Sequence, residues 1–503
     1  MAREIRENLS STFFEYRLLP RLTTLEQTPD KIVLRTPLCN TKEGLMHINL
    51  PFTSAVMQAV SGADLSISLA RQGGLGFIFC SQPIEEQAKM VAKVKNYKAG
   101  FVKSASNLPP DAELKDIQRI TKETGHSTIP ITKDGKNNSE LLGIVTDMDY
   151  WPDDEPNTKA RDIMTPISNM TYVVEGISLE DAYKVMRETK KSTIPVVNNE
   201  NEKILKYLVF KKDYVNHKFN PQELLDEHNR LKVGAGINTH DYEERVTELA
   251  KNGVDVVVID TSEGYSVYVQ KTLRWVKENY PEIPVGAGNV VTRNGFRFLA
   301  EQGADFIKVG IGGGSICITQ EQKGIGRGQA TALKEVVDER DKYYKETGVY
   351  IPICSDGGLV QDSHIMMALA FGADFVMMGR YFARFKESPT PLKEVKGELV
   401  KPYWGEGSDR ARNWQRYYGG GSKIFKFEEG VDGYVPYAGQ LDDNLERTVS
   451  VIKATMGNVG CESIKTLHDE AIIERVSPAS IREGKAHDII QSTEQSYDKI
   501  TWG

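Results

Sequence analysis

The chain has 503 residues, a formal net charge of −7 and a pI near 5.8, so its composition excludes a globally basic surface for nucleic acid. Hydrophobic residues make up 40% and charged residues 26%, as in soluble globular proteins, and no run approaches the roughly 18 apolar residues of a membrane span. The N-terminus lacks the apolar core of a signal peptide, and five cysteines, an odd number, argue against a disulfide framework. We therefore expect a cytoplasmic protein that has no membrane partner and needs no nucleic acid.

Eight short apolar runs predict strands that are buried on both faces, as in a parallel sheet. Amphipathic helical segments lie between them, and Gly-Val-Asp or Gly-Ala-Asp stands just before a strand at 253–255, 303–305 and 372–374. Repeated βα units of this kind predict a TIM (β/α)8 barrel. An open doubly wound sheet would carry Gly-x-Gly-x-x-Gly on the first βα turn, and this chain does not. The predicted strands are 50–55, 75–79, 231–235, 254–260, 283–288, 306–311, 351–356 and 375–379.

An insert with an internal repeat separates the second and third predicted strands. The sequence GHSTIPI at 125–131 is echoed by KSTIPVV at 191–197, and a further apolar strand follows each copy. The repeat resembles a tandem CBS (Bateman) module. Two interpretations stay open: a module that binds regulatory purine nucleotides, or a structural appendage. We expect the barrel to comprise 1–97 and 219–503, and the inserted module 98–218.

The stretch from 305 to 330 carries the strongest chemical signal. Glycines 312–314 follow the sixth predicted strand and allow the backbone to press against a ligand. Cys317 follows, between the hydroxyls of Ser315 and Thr319, where a loop at a strand end would expose a reactive thiol. This context favours a nucleophile at Cys317. The other four cysteines are interpreted as small buried hydrophobes: Cys39, Cys80, Cys354 and Cys461.

The sequence GIGGGSICITQEQKGIGRGQA, at 310–330, resembles the catalytic loop of the inosine-5′-monophosphate (IMP) dehydrogenase family. The resemblance implies the reaction IMP + NAD⁺ + H₂O → XMP + NADH, the rate-controlling step of guanine nucleotide synthesis. Cys317 would attack C2 of the purine, and hydride would leave C2 for the nicotinamide. The resulting thioimidate on Cys317 would then be hydrolysed.

A glycine-rich polar stretch, 403–435, resembles the mobile flap of the same family. The resemblance implies that the flap enters the emptied dinucleotide site and brings Arg416 and Tyr417 to activate water. Arginine is normally a poor base because it stays protonated, so a charge-stabilising role for Arg416 is the alternative. Glu429 matches a position that contacts N1 of the hypoxanthine, and it offers a second proton route through Thr319.

The loops after strands six, seven and eight contain glycine amides, a hydroxyl and an arginine, which together suit a phosphate dianion. Asp356 suits the ribose hydroxyls of IMP. The resemblance assigns the 5′-phosphate to Ser315, Gly358, Gly379, Arg380 and Tyr403, with the backbone around Glu406 and Gly407 facing the base. The expected substrate-binding set is Ser315, Asp356, Gly357, Gly358, Gly379, Arg380, Tyr403, Gly407 and Glu429.

The fourth predicted strand ends in Asp260, Thr261 and Ser262, where an acidic residue can accept hydrogen bonds from a ribose of NAD. The family has Asp-Ser-Ser here, and Thr261 keeps the hydroxyl. The resemblance also implies that Asn289 lies near the nicotinamide amide and His240 near the adenine. The expected NAD-binding set is Asp260, Thr261, Ser262, Asn289, Gly310 and Gly312.

The resemblance further implies a K⁺ ion (a monovalent cation) bound by backbone carbonyls of two subunits, and hence a homotetramer. Gly312, Gly314 and Cys317 would come from one subunit, and Glu483, Gly484 and Lys485 from its neighbour. This chain departs from the family at Lys485, where glycine is common. It also departs at Val56 and Gln58, within a segment that is commonly Ser-Ser-Pro-Met-Asp.

Two alternatives remain. GMP reductase shares the barrel, the cysteine loop and the phosphate site but deaminates with NADPH, and it is expected to lack both the insert and the long flap. A non-catalytic purine nucleotide sensor would have no reason to keep Cys317, Thr319, Arg416 and Tyr417 together. Both alternatives are therefore disfavoured.

Overall fold

A computed structural model describes residues 5–97, 100–104, 106–124, 127–151, 153–218, 220, 222–412 and 427–489. Two compact units divide the chain: Met1–Asn96 with Gln222–Gly503, and Tyr97–Pro221. The second unit, called the insert below, overlaps the predicted range 98–218, and its assignment as a CBS module stays a prediction. Among the described residues, no helix combines the length and apolarity that crossing a membrane requires.

Eight parallel strands close into a barrel in chain order, which confirms the predicted (β/α)8 architecture and all eight predicted strands. The strand interiors are almost entirely buried because each strand is covered by helices outside and by barrel side chains inside. The barrel strands are β1 (Phe52–Ser54), β2 (Leu75–Ile78), β3 (Gly234–Ile237), β4 (Val256–Asp260), β5 (Val285–Val290), β6 (Phe306–Val309), β7 (Ile353–Asp356) and β8 (Phe375–Met378).

One helix follows each barrel strand and packs outside it, and the last of these helices also contacts the first and the seventh. Short helices, Thr319–Lys323 and Arg380–Ala383, intervene after β6 and β8. The barrel helices are α1 (Ala63–Arg71), α2 (Ile84–Lys95), α3 (Tyr242–Lys251), α4 (Val267–Asn279), α5 (Arg293–Glu301), α6 (Gln329–Thr347), α7 (Asp362–Ala370) and α8 (Leu441–Asn458).

The recurring Gly-x-Asp joint has a structural explanation at the N-terminal end of the barrel. Its glycines take φ values of +78°, +87° and +103°, the left-handed conformation that ends a helix. Its aspartates each accept an N–H at the start of the preceding strand: Asp255 from Val233 at 2.8 Å, Asp305 from Val285 at 2.7 Å and Asp374 from Ile353 at 2.8 Å. Each aspartate also pairs with a cation: Lys95, Lys277 and Arg340 respectively.

Smaller elements surround the barrel. A hairpin covers its N-terminal end, because the Thr36 hydroxyl donates to the Asp374 carbonyl and the Asn40 N–H donates to the Asp305 carbonyl. The remaining elements of this unit are a 3-10 helix (Phe13–Glu15), strands Tyr16–Leu18, Thr36–Thr41, Gly44–Ile48, Lys393–Val395, Glu398–Trp404, Asp432–Pro436 and Ile473–Arg475, and helices Asp409–Arg412, Ile464–Glu470 and Pro478–Glu483.

The insert repeats one helix–strand–strand arrangement, as its sequence repeat predicts. The first copy consists of Leu114–Thr124, Thr128–Thr132 and Leu141–Thr146, and the second of Leu179–Thr189, Thr193–Val197 and Leu205–Phe210. Both strand pairs are antiparallel. The other elements of the insert are strands Phe101–Val102, Thr165–Pro166 and Val173–Val174, helices Ala160–Ile163 and Lys211–Lys218, and a 3-10 helix, Ile167–Asn169.

Candidate active site

A cavity of about 530 Å³ opens at the C-terminal ends of the barrel strands, the face where TIM-barrel enzymes carry their active sites. Every residue predicted to bind IMP or NAD lines this cavity except His240, which is exposed and lies outside the cavity lining. The predicted residues that it brings together are Asp260, Thr261, Ser262, Asn289, Gly310, Gly312, Gly314, Ser315, Cys317, Thr319, Asp356, Gly357, Gly358, Gly379, Arg380, Tyr403, Gly407 and Glu429.

Cys317 begins a chain of polar side chains along one wall of the cavity. Its Sγ lies 3.1 Å from the Thr319 hydroxyl, and that hydroxyl donates to Glu429 Oε2 at 3.1 Å. Lys323 Nζ lies 2.9 Å from the other carboxylate oxygen of Glu429. Because a hydroxyl can donate and accept at once, Thr319 can receive the thiol proton while giving its own to the carboxylate. The arrangement can therefore deprotonate a nucleophilic thiol.

The cysteine loop is held by a second segment of chain that pairs with it. Cys317 and Gly430 form an antiparallel bridge, the Ile318 N–H donates to the Glu429 carbonyl at 2.9 Å, and the Val431 N–H donates to the Ile316 carbonyl at 3.0 Å. These backbone hydrogen bonds fix the position of the Glu429 main chain, from which its side chain extends. Both described ends of the predicted flap, 403–412 and 427–435, contribute residues to this wall of the cavity.

The floor of the cavity contains a lysine that the sequence analysis did not identify. Lys308 Nζ lies 3.0 Å from Asp260 Oδ1 and 3.2 Å from Asp356 Oδ2, and Asn289 Nδ2 donates to the same Asp356 oxygen at 3.0 Å. Burial alone would lower the pKa of Lys308, but the two carboxylates outweigh it and raise that pKa, so the ammonium stays charged. The signal in the sequence was a lysine within an otherwise apolar strand, FIKV.

One corner of the cavity has the donors that a phosphate requires. The side chains of Tyr403 and Ser315 are hydrogen-bonded to each other. Burial raises the pKa of the Tyr403 phenol, so the phenol remains a protonated donor. A Cβ at Gly379 would lie 2.8 Å from the Tyr403 hydroxyl, so this position has no room for a side chain. Arg380 donates to the Val360 carbonyl at 3.1 Å, which orients its guanidinium beside the same corner.

The turn after β7 also requires glycine. Gly357 and Gly358 have φ values of +85° and +73°, and the Gly358 N–H donates to the Gly313 carbonyl at 2.9 Å. The glycines after β6 and β7 therefore touch backbone to backbone. A Cβ at Gly357 would lie 3.2 Å from the Gly313 carbonyl carbon, which would force the two loops apart.

The two departures from the family segment after β1 have defined contacts. Val56 lines the cavity, and the Gln58 amide forms two bonds, donating to the Ser81 carbonyl at 2.7 Å and accepting from the Trp404 indole at 3.0 Å. The Gln58 backbone N–H donates to Glu406 Oε1 at 2.6 Å. Gln58 therefore ties the loop after β1 to the segment that begins the flap.

Some predicted residues lie elsewhere. Arg416 and Tyr417 fall outside the described residues. Glu483 and Gly484 lie at the end of the exposed helix Pro478–Glu483, and the carbonyl of the following Lys485 accepts from His487 Nδ1 at 2.7 Å. None of these three lines the cavity. Among the described residues, no group of three or more His, Cys, Asp or Glu side chains could hold a metal ion.

Comparison with known proteins gives consistent matches over nearly the whole chain. A family model described as IMP dehydrogenase / GMP reductase domain matches residues 10–487. A relative named inosine-5′-monophosphate dehydrogenase, from Tritrichomonas foetus, is 51% identical over 95% of this chain and 96% of its own length. A protein of the same name from Pasteurella multocida is 35% identical over 97% and 98%.

A solved structure of GMP reductase from Trypanosoma brucei, in complex with guanosine 5′-monophosphate, superposes with a TM-score of 0.81 at 26% identity. The alignment covers 96% of this chain and 98% of the reductase, so it necessarily includes most of the insert. The expectation that a GMP reductase lacks the insert is therefore wrong for this reductase. The insert does not separate the two activities.

Proposed function

Since this chain belongs to the IMP dehydrogenase / GMP reductase family, we propose that it oxidises IMP to xanthosine 5′-monophosphate with NAD⁺ through a covalent intermediate on Cys317. The observation that carries the proposal is the chain of contacts from Cys317 through Thr319 to Glu429 at the edge of the cavity. The 51% identity to a protein named IMP dehydrogenase supports oxidation over the reductive alternative.

The proposed first half-reaction begins at the thiol. Thr319 accepts the Cys317 proton and passes its own to Glu429, and the thiolate adds to C2 of the purine. The C2 hydrogen then leaves as hydride, taking the C2–H electron pair, and NAD⁺ accepts it. The product of this step is a thioimidate on Cys317. Asp356 and the donors around Tyr403 hold the ribose and phosphate while C2 approaches the sulfur.

In the second half-reaction, water adds to C2 and the C2–S bond breaks, which regenerates the thiol and releases xanthosine 5′-monophosphate. We propose that the flap, 403–435, brings Arg416 and Tyr417 to the water, with Glu429 and Thr319 as a second proton route. Arg416→Ala should slow hydrolysis far more than hydride transfer. A burst of NADH should then precede a slow steady state, whereas equal losses in both steps would contradict the flap assignment.

The cavity contains groups that fit a nicotinamide nucleotide. Asn289 Oδ1 is buried, and within the described part of the chain it has no hydrogen-bond partner. A carboxamide N–H would satisfy it. Asp260 and Ser262 line the same side of the cavity, where the hydroxyls of a ribose would find acceptors. Asn289 would therefore orient the nicotinamide, and Asp260 its ribose.

The carbonyls of Gly312, Gly314 and Cys317 suit K⁺, because hard monovalent cations are bound through oxygen. The Gly312 carbonyl already accepts from Gln320 Nε2 at 3.1 Å, and its second lone pair remains for an ion. Completing the site requires Glu483, Gly484 and Lys485 from another copy. We therefore propose that the enzyme is a cytoplasmic homotetramer that K⁺ activates.

We propose that the insert binds purine nucleotides that regulate the enzyme. A cleft of about 770 Å³ lies between its two halves and combines carboxylates and hydroxyls with lysines, which suits a ribose and a phosphate. Titration of the full chain with ATP or GTP tests this, and Lys191→Ala should weaken binding. Lys184→Ala, an exposed lysine outside the cleft, is the control. The polar lining includes Thr128, Thr146, Asp149, Lys191, Thr193 and Lys211.

The decisive experiment follows NADH formation from IMP and NAD⁺ in K⁺ buffer, with Cys317→Ala beside the wild type. Activity in the wild type alone would support both the reaction and the nucleophile. Consumption of NADPH with GMP, and no NADH from IMP, would instead identify a GMP reductase, the second candidate that the full-length likeness to the T. brucei enzyme favours. Nucleotide binding without either activity would identify a sensor.

A further inference from the structure

Lys308 is a buried charge in a place where barrels normally contain aliphatic side chains. It points into the barrel from β6, is 1% exposed, and its ammonium lies 3.7 Å from the sulfur of the buried Met377. Removing an ammonium group from water costs several kcal/mol before its partners offset the loss. An apolar side chain would fill this space at a lower cost. The position therefore calls for an explanation beyond packing.

The ammonium group is already engaged by three protein atoms. Two of its contacts are the carboxylates of Asp260 at 3.0 Å and Asp356 at 3.2 Å, and its third polar contact is the Met377 sulfur at 3.7 Å. An ammonium has three N–H groups, and these three contacts account for all of them. Lys308 can therefore influence the reaction only through the two aspartates, which end β4 and β7 on different sides of the cavity.

The contacts of Asp356 show how this influence works. Its Oδ2 accepts from both Lys308 and Asn289, and the Asn289 amide also donates to the Gly310 carbonyl at 2.6 Å. Two donors saturate one carboxylate oxygen, which fixes the plane of the group and leaves Oδ1 to accept from a ligand. Asp260 is held by the same ammonium, so the positions of both acceptors depend on one side chain.

We propose that Lys308 is a positioning residue that holds the acceptor of the IMP ribose and the acceptor of the NAD⁺ ribose at a fixed separation, so that C2 and the nicotinamide meet. This inference rests on the proposed function, since it takes Asp356 and Asp260 as the ribose acceptors of the two nucleotides. It assigns an effect on both substrates to one residue that acts through their acceptors. Removal of the ammonium should therefore weaken the binding of both nucleotides together.

The test compares wild type, Lys308→Met, Lys308→Arg and Lys95→Met. Lys95 is the matched control, because its ammonium is also buried between two aspartates, Asp226 and Asp255, but at the opposite end of the barrel. Lys308→Met should raise the KM for IMP and the KM for NAD⁺ by at least tenfold each. Lys308→Arg keeps the charge and the donors but adds bulk in a buried site, so it should recover part of both losses. Lys95→Met should lower the melting temperature and leave both KM values within twofold.

A second readout separates positioning from general damage. Single-turnover NADH formation should slow in Lys308→Met, while hydrolysis of the Cys317 intermediate should keep its rate, because Lys308 contacts neither Cys317 nor Glu429. Should Lys308→Met not fold, Lys308→Gln, which is neutral but still donates, takes its place with the same expected rise in both KM values. Unchanged KM values, or equal slowing of both half-reactions, would overturn the proposal.

The proposed function and the role of Lys308 can be contradicted separately. A wild type that makes no NADH from IMP contradicts the proposed function, and the assignment of Lys308 falls with it. An active wild type whose KM values are unaffected by Lys308→Met contradicts only the role of Lys308. A rise in the KM for one nucleotide alone also contradicts it, because the shared ammonium is proposed to act on both.

Discussion

Two buried lysines, each held by two aspartates, lie at opposite ends of β4. At the N-terminal end, Lys95 Nζ lies 2.9 Å from Asp226 and 2.8 Å from Asp255. At the C-terminal end, Lys308 takes the same arrangement with Asp260 and Asp356. Both clusters share one ammonium and two carboxylates, and they differ in what else the aspartates face, including the Arg230 guanidinium 2.9 Å from Asp226.

The N-terminal cluster satisfies backbone groups. Asp255 accepts the Val233 N–H at 2.8 Å, and Asp226 accepts the N–H groups of His228 and Arg230, both at 2.9 Å. The C-terminal aspartates instead line a cavity of about 530 Å³. The same Lys–Asp–Asp arrangement therefore stabilises the fold at one end and prepares a binding site at the other, which matches the general division of TIM barrels into a stability face and a catalytic face.

The largest expected effect is at the cavity. Asp356→Ala should lower kcat/KM for IMP about 1,000-fold. The variant loses the hydrogen bonds from two ribose hydroxyls to the carboxylate, and charged hydrogen bonds contribute roughly 1.5–3 kcal/mol each. The melting temperature should also fall, because the buried Lys308 ammonium loses one of its two carboxylates, so the loss in kcat/KM is what distinguishes this cluster. Steady-state kinetics and calorimetry on the same preparation measure both. A large loss of stability with ordinary catalysis would make this cluster a second structural one.

The matched change at the other end is Asp255→Ala, for which we expect a loss of about 3 kcal/mol in the free energy of unfolding. This is the low end for a broken buried ion pair, because Asp226 still compensates Lys95. The Val233 N–H would lose its acceptor as well. Denaturant titration gives the loss, and kcat per folded molecule should equal that of the wild type. A selective rise in the KM for IMP would instead link this end of the barrel to the site.

Acid should weaken the interactions of Asp226 in the N-terminal cluster. Burial opposes ionisation of Asp226, but the N–H of Arg230 and the Lys95 ammonium outweigh it and lower its pKa from 3.8 to about 2. Because the folded pKa lies below the unfolded one, the contribution of Asp226 is complete above about pH 4 and is lost as the pH falls toward 2. Between pH 4 and pH 2, the free energy of unfolding of Asp226→Asn should fall by about 2 kcal/mol less than that of the wild type. Parallel curves for the two proteins between pH 2 and 4 would contradict the assigned shift.

The sequence was informative wherever the signal was local. The eight strands are continuous apolar runs, and the cysteine loop is a single stretch of glycine, hydroxyl and thiol residues, so both could be read along the chain. The Gly-x-Asp joints were also visible as a repeat. Their aspartates, however, bond to N–H groups of the preceding strand, which only the closed barrel brings next to them.

The Lys308 cluster could not be read in this way. Its two aspartates lie 48 positions before and 48 positions after the lysine, and nothing in the strand FIKV indicates which side chains meet its ammonium. The partners of Lys95 are 131 and 160 positions away. A buried ion pair of this kind depends on barrel closure, so a lysine in an apolar strand signals that partners exist without identifying them.

The smallest expected effect concerns a conservative change at the cavity. The Thr261 hydroxyl donates to the Gly288 carbonyl at 2.7 Å and so holds the end of β4 beside the end of β5. Thr261→Ser keeps this bond, and we expect the KM for NAD⁺ to change by less than about twofold, or ~0.4 kcal/mol. Thr261→Val keeps the shape but removes the donor, and the unpaired carbonyl should raise the KM for NAD⁺ several-fold. Equal effects of the two substitutions on that KM would mean that the methyl group, and not the hydrogen bond, matters here. The C-terminal end of β4 would then depend on packing at Thr261, although its neighbour Asp260 lies in the polar cluster.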